Sequence, residues 1–464
     1  MLTNAPPLLL DAIGLAVLVA AAVAARYVSR WAGWAPAGPI ALIAAAPLVP
    51  RLPLLFSLTL DDLAPLLGLG LLLLQLPVPR LTNDRLLRVV LVAVILATMA
   101  RIASALVNGD GVEGSLIMLV KGIARPALLV GIVAYAAIAM PAELRRRVAS
   151  ASIAAVGTLE AAFGLLAFAV PLPGGAGIEA ARRLTTLYGT CPGRISGTLG
   201  LSPNHVGAVF VICLPLTVAQ AVRSEGRARW AWAAAGALQL AALILTFTRS
   251  SIILGAAATA AFLILQRRFV LLGLVAGLAL AIAFAILSLG CTTSSGGHGL
   301  PSNPVSLIGG RFTDSNDRMA LWYAAARIML DHPVAGVGLG KMDDTLAHHP
   351  EYRGTPFGTA TSSAHNTILL AGAETGIAGA LAALVINVGL GLAALRIAWW
   401  GAMRRDPLVL AAALAILAYL VQGMVNNLFE VGATSALFAL AVGVFAVPGR
   451  ADGEPAGAAV SPSA

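Results

Sequence analysis

Between Phe269 and Gly290 the chain runs for 22 residues without one charged side chain. A helix needs roughly 20 apolar residues to cross a bilayer. Similar apolar runs, bounded by charges or turn-forming residues, cover 8–25, 37–50, 60–77, 86–107, 115–140, 148–170, 204–222, 231–248, 250–266, 269–290, 366–395, 408–428 and 431–447. In lipid the backbone finds no water to bond, so each run must close its hydrogen bonds as a helix. The composition agrees, with 59% hydrophobic and 11% charged residues, against roughly 25% charged in a soluble domain. A soluble globular class is excluded. The run 37–50 is short and Pro-bounded, and 60–77 opens on Asp61 and Asp62. The expected fold is therefore an all-α polytopic membrane protein with about 12 transmembrane helices (12–13).

In a soluble protein, a net charge of +9 would suggest a nucleic-acid partner. Here the position of the charges explains it. One alternating set of loops holds Arg26 and Arg30, Arg80, Arg85 and Arg88, Arg145 to Arg147, Arg223, Arg227 and Arg229, Arg267 and Arg268, Arg396, Arg404 and Arg405, and Arg450. These 17 basic residues meet six acids (Asp84, Glu143, Glu225, Asp406, Asp452 and Glu454), which marks that side as cytoplasmic. The first run has no basic residue before it and two after it, which reads as an N-out helix and not a cleavable signal. The expected organisation is residues 1–290 as N-terminal transmembrane helices, including an outward segment 171–203. A large outward loop, 291–365, carries short helices; 366–447 supplies the last three spans, and 448–464 is a disordered cytoplasmic tail.

The outward segments hold the unusual chemistry. A helical pattern over Asn316 to Leu330 puts Leu321, Trp322, Ala325, Ile328 and Met329 on one face, as expected of a helix lying on the membrane surface. The glycines of Gly336-Val337-Gly338-Leu339-Gly340 lack the preceding strand and following Lys-Ser/Thr of a nucleotide loop. Ser362 or Ser363 is placed to cap the next helix, with His365 on its first turn. By position alone, His365 reads more often as a wet interfacial histidine than as a functional one. Arg194 by itself reads as a surface charge, whereas Arg249, in a turn tightly bracketed by apolar helices and against the charge bias, calls for an acid or an anionic ligand. Lys121 and Arg125 share one helical face within the run 115–140, where they snorkel or bond carbonyls if they bind no ligand, and Arg101, near the end of its own run, is of the same class as that pair but is not counted in the site. With Arg311 and Arg318 these cations suggest one outward pocket for a diphosphate, whose oxygens guanidinium forks hold in pairs.

The pieces Arg194-Ile195-Ser196-Gly197-Thr198, Pro203-Asn204, Thr248-Arg249-Ser250, Gly310-Arg311-Phe312, Arg318, Trp322, His332-Pro333, Gly336 to Gly340, His365-Asn366 and Glu374-Thr375-Gly376-Ile377-Ala378-Gly379 together resemble the signature of the bacterial O-antigen ligase and polymerase superfamily. The branch most similar is the lipid A core–O-antigen ligase. The resemblance covers about 190–380 well and the first 150 residues only by hydropathy. It implies a GT-C-like fold with one large periplasmic loop, in the bacterial inner membrane, with the active site facing the periplasm. The implied activity is transfer of O-antigen polysaccharide from undecaprenyl diphosphate to a sugar hydroxyl of lipid A core, in lipopolysaccharide biosynthesis.

That reading assigns roles. His365 is the catalytic base that takes the acceptor proton, an imidazole being suited to that at neutral pH. Arg194, Arg249, Arg318, Arg311, Lys121 and Arg125 bind the donor diphosphate, and Asn366, Asn204 and Trp322 support the site. Direct attack on the anomeric carbon would invert its configuration. Because arginines can neutralise the leaving group, no metal and no cofactor are expected. The partners are the lipid-linked donor, the lipid A core acceptor and membrane lipids, with no nucleic acid. Cys191 and Cys291 are expected to pair on the oxidising side, Cys213 to stay a buried thiol, and His348 and His349 to be solvated. Three alternatives remain: an O-antigen polymerase, a protein O-oligosaccharyltransferase, and a lipid-linked sugar flippase or transporter. The last is disfavoured by the lack of duplicated halves.

Overall fold

The computed structural model describes residues 19–20, 22–30, 37–48, 66–71, 85–109, 142–170, 178–179, 184–185, 194–198, 202–288, 292–293, 313–428 and 432–445. The helices are α1 (Ala37–Ala44), α2 (Arg85–Asn108), α3 (Ala142–Ala169), α4 (Pro203–Arg223), α5 (Gly226–Leu245), α6 (Arg249–Leu265) and α7 (Phe269–Ser288). They continue with α8 (Thr313–Asp331), α9 (Met342–His348), α10 (Pro350–Arg353), α11 (Thr367–Arg404), α12 (Pro407–Gly423) and α13 (Gly432–Phe445). Among the described residues, five helices are long and apolar enough to cross a membrane, and three shorter apolar ones accompany them. The expected runs 115–140 and most of 8–25 and 60–77 lie outside the described residues.

Local chemistry sets the helix ends. Ser202 caps α4, accepting the Asn204 N–H, with Pro203 at the first helical position. Asp406 caps α12, accepting the N–H groups of Leu408 and Val409 at 3.1 and 3.2 Å. The basic turns follow the ends of α4, α6 and α11, at Arg223, at Arg267 and Arg268, and at Arg404 and Arg405. At the same end Arg146 pairs with Asp406 at 3.4 Å.

Helix α4 is the centre of the bundle, buried along nearly its whole length. Helices α2, α5 and α7 leave large apolar side chains exposed, including Val92, Leu96, Met99, Leu238, Leu274 and Leu280. Apolar residues buried on one side and exposed on the other suit a helix between protein and lipid. Inside the bundle, Gln239 donates to Ala154 O, Thr158 and Thr217 at 2.9 to 3.1 Å, so its buried amide joins α3, α4 and α5. Cys213 is a buried free thiol.

The large loop is built on α11. Helix α8 buries Leu321, Ala324, Ala325 and Ile328 together with Met342, Leu346, Tyr352 and Leu370. Its apolar face is thus covered by protein, and the expectation of a helix lying on the membrane is corrected. The glycine segment works structurally. Gly336, Gly338 and Gly340 have φ of 62°, 108° and 70°, a region open to glycine but costly for other residues. This turn lets Val337 N–H reach Ala373 O at 2.9 Å and Gly338 N–H reach Glu374 O at 3.2 Å. From the end of α2, Ser104 donates to Glu374 O at 2.7 Å and Asn108 to the carbonyls of Ala335 and Gly336. Helix α11 is interrupted at Gly376, with φ 77° and ψ −174°. Strand β2 (Leu184–Thr185) pairs antiparallel with β4 (Thr292–Thr293), joining by backbone the two segments expected to face outward. The expected Cys191–Cys291 pair falls outside the described residues.

Candidate functional site

Helices α4, α6 and α11 begin, and α12 ends, at the side opposite the basic turns. Helix starts carry positive partial charge and N–H donors, so three of them together favour an anion. The side chains at these ends form one hydrogen-bonded polar assembly.

Arg194 lies in β3 (Arg194–Ile195), which pairs with β1 (Ile178–Glu179). Its Nε donates to Thr246 O at 2.9 Å, and a terminal nitrogen donates to Thr248 Oγ1 at 3.0 Å and to Asn204 Oδ1 at 3.4 Å. Arg194 therefore ties the turn between α5 and α6 to the start of α4. Glu160, fully buried in α3, accepts the Thr198 N–H at 3.1 Å and pairs with the Thr198 hydroxyl, which fixes the loop carrying Arg194. Thr248 is the N-cap residue of α6 but makes no cap bond; its hydroxyl donates to Asn204 Oδ1 at 3.1 Å. Arg249, the first residue of α6, is exposed.

The turn after α12 connects this wall to the histidine. Gln422 donates to Ser251 Oγ at 2.6 Å and Asn426 to Ser250 Oγ at 3.1 Å, both serines following Arg249. On the other side Asn427 donates to Ser363 Oγ at 2.7 Å, Asn366 to Met424 O at 3.0 Å and Thr367 to Gly423 O at 2.9 Å. The carbonyl oxygens of Gln422, Asn426 and Asn427 have no protein partner among the described residues. Each amide donates to a wall, and its side-chain oxygen accepts no bond from the described residues.

His365 differs from its expected position. Asn366, not Ser362 or Ser363, caps α11, accepting the N–H groups of Ile368 and Leu369 at 3.0 Å. Ser363 instead receives the Asn427 amide, and His365 precedes the helix with a left-handed φ of 46°. The side chain is half-buried. Burial holds its imidazole below the ordinary histidine value, and the Arg318 charge pushes the same way while Asp343 opposes both. An imidazole so held is neutral at pH 7 and free to accept a proton. Partial withdrawal from water raises Asp343, opposed by His365 when its ring is protonated and by the Ser363 N–H that Asp343 accepts.

Of the expected site residues, His365 and Arg318 come together, and Arg194, Asn204 and Arg249 form the second wall. Asn366 joins the two. Trp322 is half-buried on α8, its indole N–H without a partner among the described residues. Lys121, Arg125 and Arg311 lie outside the described residues. His348 and His349 are exposed, facing Asp344 and Glu351. Among the described residues no three His, Cys, Asp or Glu side chains group as metal ligands would. Sequence reading missed Glu160, Gln422, Asn426 and Asn427. The adjacent amides closing an apolar run were the only signal for the last two.

The fold and its polar end define a polytopic helical membrane protein with a histidine and arginines on one side of the bundle. Residues 234–384 match the family model described as O-antigen ligase. The match bears out the resemblance to the O-antigen ligase and polymerase superfamily and supports a membrane glycosyltransferase-like enzyme. No curated protein matches the chain.

Proposed function

We propose that the protein is an O-antigen ligase. It moves a polysaccharide from undecaprenyl diphosphate to a sugar hydroxyl of lipid A core, at the periplasmic face of the inner membrane, with inversion at the anomeric carbon. The observation that carries this reading is a neutral-leaning His365 joined through one turn to the arginine-bearing start of α6. His365 takes the proton of the attacking hydroxyl as the new glycosidic bond forms. The bond from the anomeric carbon to the diphosphate breaks, and the departing charge is met by Arg249 and Arg318, with Arg311, Lys121 and Arg125 as further donor-binding cations. Arg194 shapes the arginine wall. No metal or other cofactor enters the proposed step.

A deletion strain analysed for its lipopolysaccharide tests the assignment. Loss of all attached O-antigen with accumulation of lipid-linked polymer is expected. Attachment of single repeat units would mean a polymerase instead. His365→Ala is expected to abolish transfer in protein that still inserts and folds; near-normal transfer would refute the base. Activity is expected to survive full chelation of divalent metals, and loss rescued by one added ion would overturn the arginine account.

A further inference from the structure

We infer that the turn from Gln422 to Asn427 is the strut that sets the spacing of the two walls, with Asn426 and Asn427 as positioning residues, an inference that rests on the proposed transfer reaction. The two amides are neighbours in the chain and reach opposite ways. Asn426, 2% exposed, holds Ser250 beside Arg249. Asn427, 7% exposed, holds Ser363 two residues before His365. The turn is itself fixed, since Met424 N–H donates to Val421 O at 3.1 Å and Val425 N–H to Gln422 O at 3.0 Å. Beyond it, Leu428 O accepts the Thr434 hydroxyl at 2.8 Å. The left-handed backbone of His365 is unfavourable for a side-chain-bearing residue and persists only where its surroundings hold it. Here both flanks are held by this one turn, through Asn427 to Ser363 and through Asn366 to Met424 O. The base and the cation thus share one rigid reference.

A strut with two independent ends predicts a split that general destabilisation does not. The full-length protein in nanodiscs would be assayed with a polyprenyl diphosphate-linked oligosaccharide and a lipid A core acceptor. For Asn426→Ala the donor KM is expected to rise about tenfold with kcat within about twofold, the scale of one lost hydrogen bond. For Asn427→Ala kcat is expected to fall about tenfold or more with donor KM within about twofold. The His365 titration, followed by NMR of labelled histidine and identified by its loss in His365→Ala, is expected to move in Asn427→Ala and not in Asn426→Ala. Ser363→Ala and Ser250→Ala remove the same two bonds from the other side and should repeat the split even if the asparagine variants fold poorly. The inference is overturned if both amide variants change kcat and KM together and leave the titration in place. The titration needs no turnover, so an inactive wild-type protein would refute the transfer reaction while the strut is still decided.

Discussion

Replacing Arg194 separates two ways in which an arginine can serve this site. Its guanidinium bonds include two well-formed ones, to Thr246 O at 2.9 Å and Thr248 Oγ1 at 3.0 Å, and a long one to Asn204 Oδ1 at 3.4 Å. A hydrogen bond to a charged group contributes roughly 1.5–3 kcal/mol, and the long contact little. Two good bonds at a half-buried position, discounted for solvent and non-additivity, give a cost of about 2–4 kcal/mol for Arg194→Ala. Arg194→Lys keeps the charge but not the fork, so one ammonium recovers about one of the bonds and leaves about 1–2 kcal/mol lost. Two assays read this, thermal inactivation in detergent and donor KM in membranes. If Arg194 acts as a brace for the Arg249 turn, both variants lower stability and raise donor KM, alanine more than lysine. A lysine variant with wild-type KM and stability, beside an inactive alanine variant, would refute the brace and leave Arg194 as a direct charge on the diphosphate.

Other outcomes follow from the same geometry. The acid limb of the kcat–pH profile is expected below the ordinary histidine value of about 6.5, because burial and Arg318 lower His365. Arg318→Gln removes a lowering charge and should move that limb to higher pH, whereas Asp343→Asn removes a raising charge and should move it to lower pH; shifts of one sign in both would refute the electrostatic arrangement. Gly376→Ala places a methyl 2.5 Å from Pro333 O at a backbone conformation reserved for glycine. Strain there is about 1–3 kcal/mol before the clash, so the variant should accumulate poorly or lose detergent stability, measured by size-exclusion yield after heating.

The helices were legible because hydropathy accumulates along the chain. The runs 231–248 and 250–266 became Gly226–Leu245 and Arg249–Leu265, shifted only where turn geometry decides the end. The cations opposite the basic turns were legible too, since charge against the positional bias is a local observation. The cap of α11 was not. Ser363 has the right chemistry, but Asn427, 64 residues away, engages its hydroxyl, and Asn366 takes the N-terminal donors. Helix α8 shows the same limit, its apolar face fitting a membrane surface or a protein partner equally until Tyr352 and Leu370 cover it.

By itself, then, the sequence determined that this chain spans a membrane as helices, which side its basic turns share, and which side carries a histidine and stray arginines. Those properties follow from transfer free energies that act residue by residue. Only the tertiary structure decided that Glu160 fixes the Thr198 loop, that Arg194 braces a turn, and that Asn426 and Asn427 stand between Arg249 and His365. Such bonds join residues tens to hundreds of positions apart, and a hydrogen bond's dependence on distance and angle is set by packing, which no local pattern records.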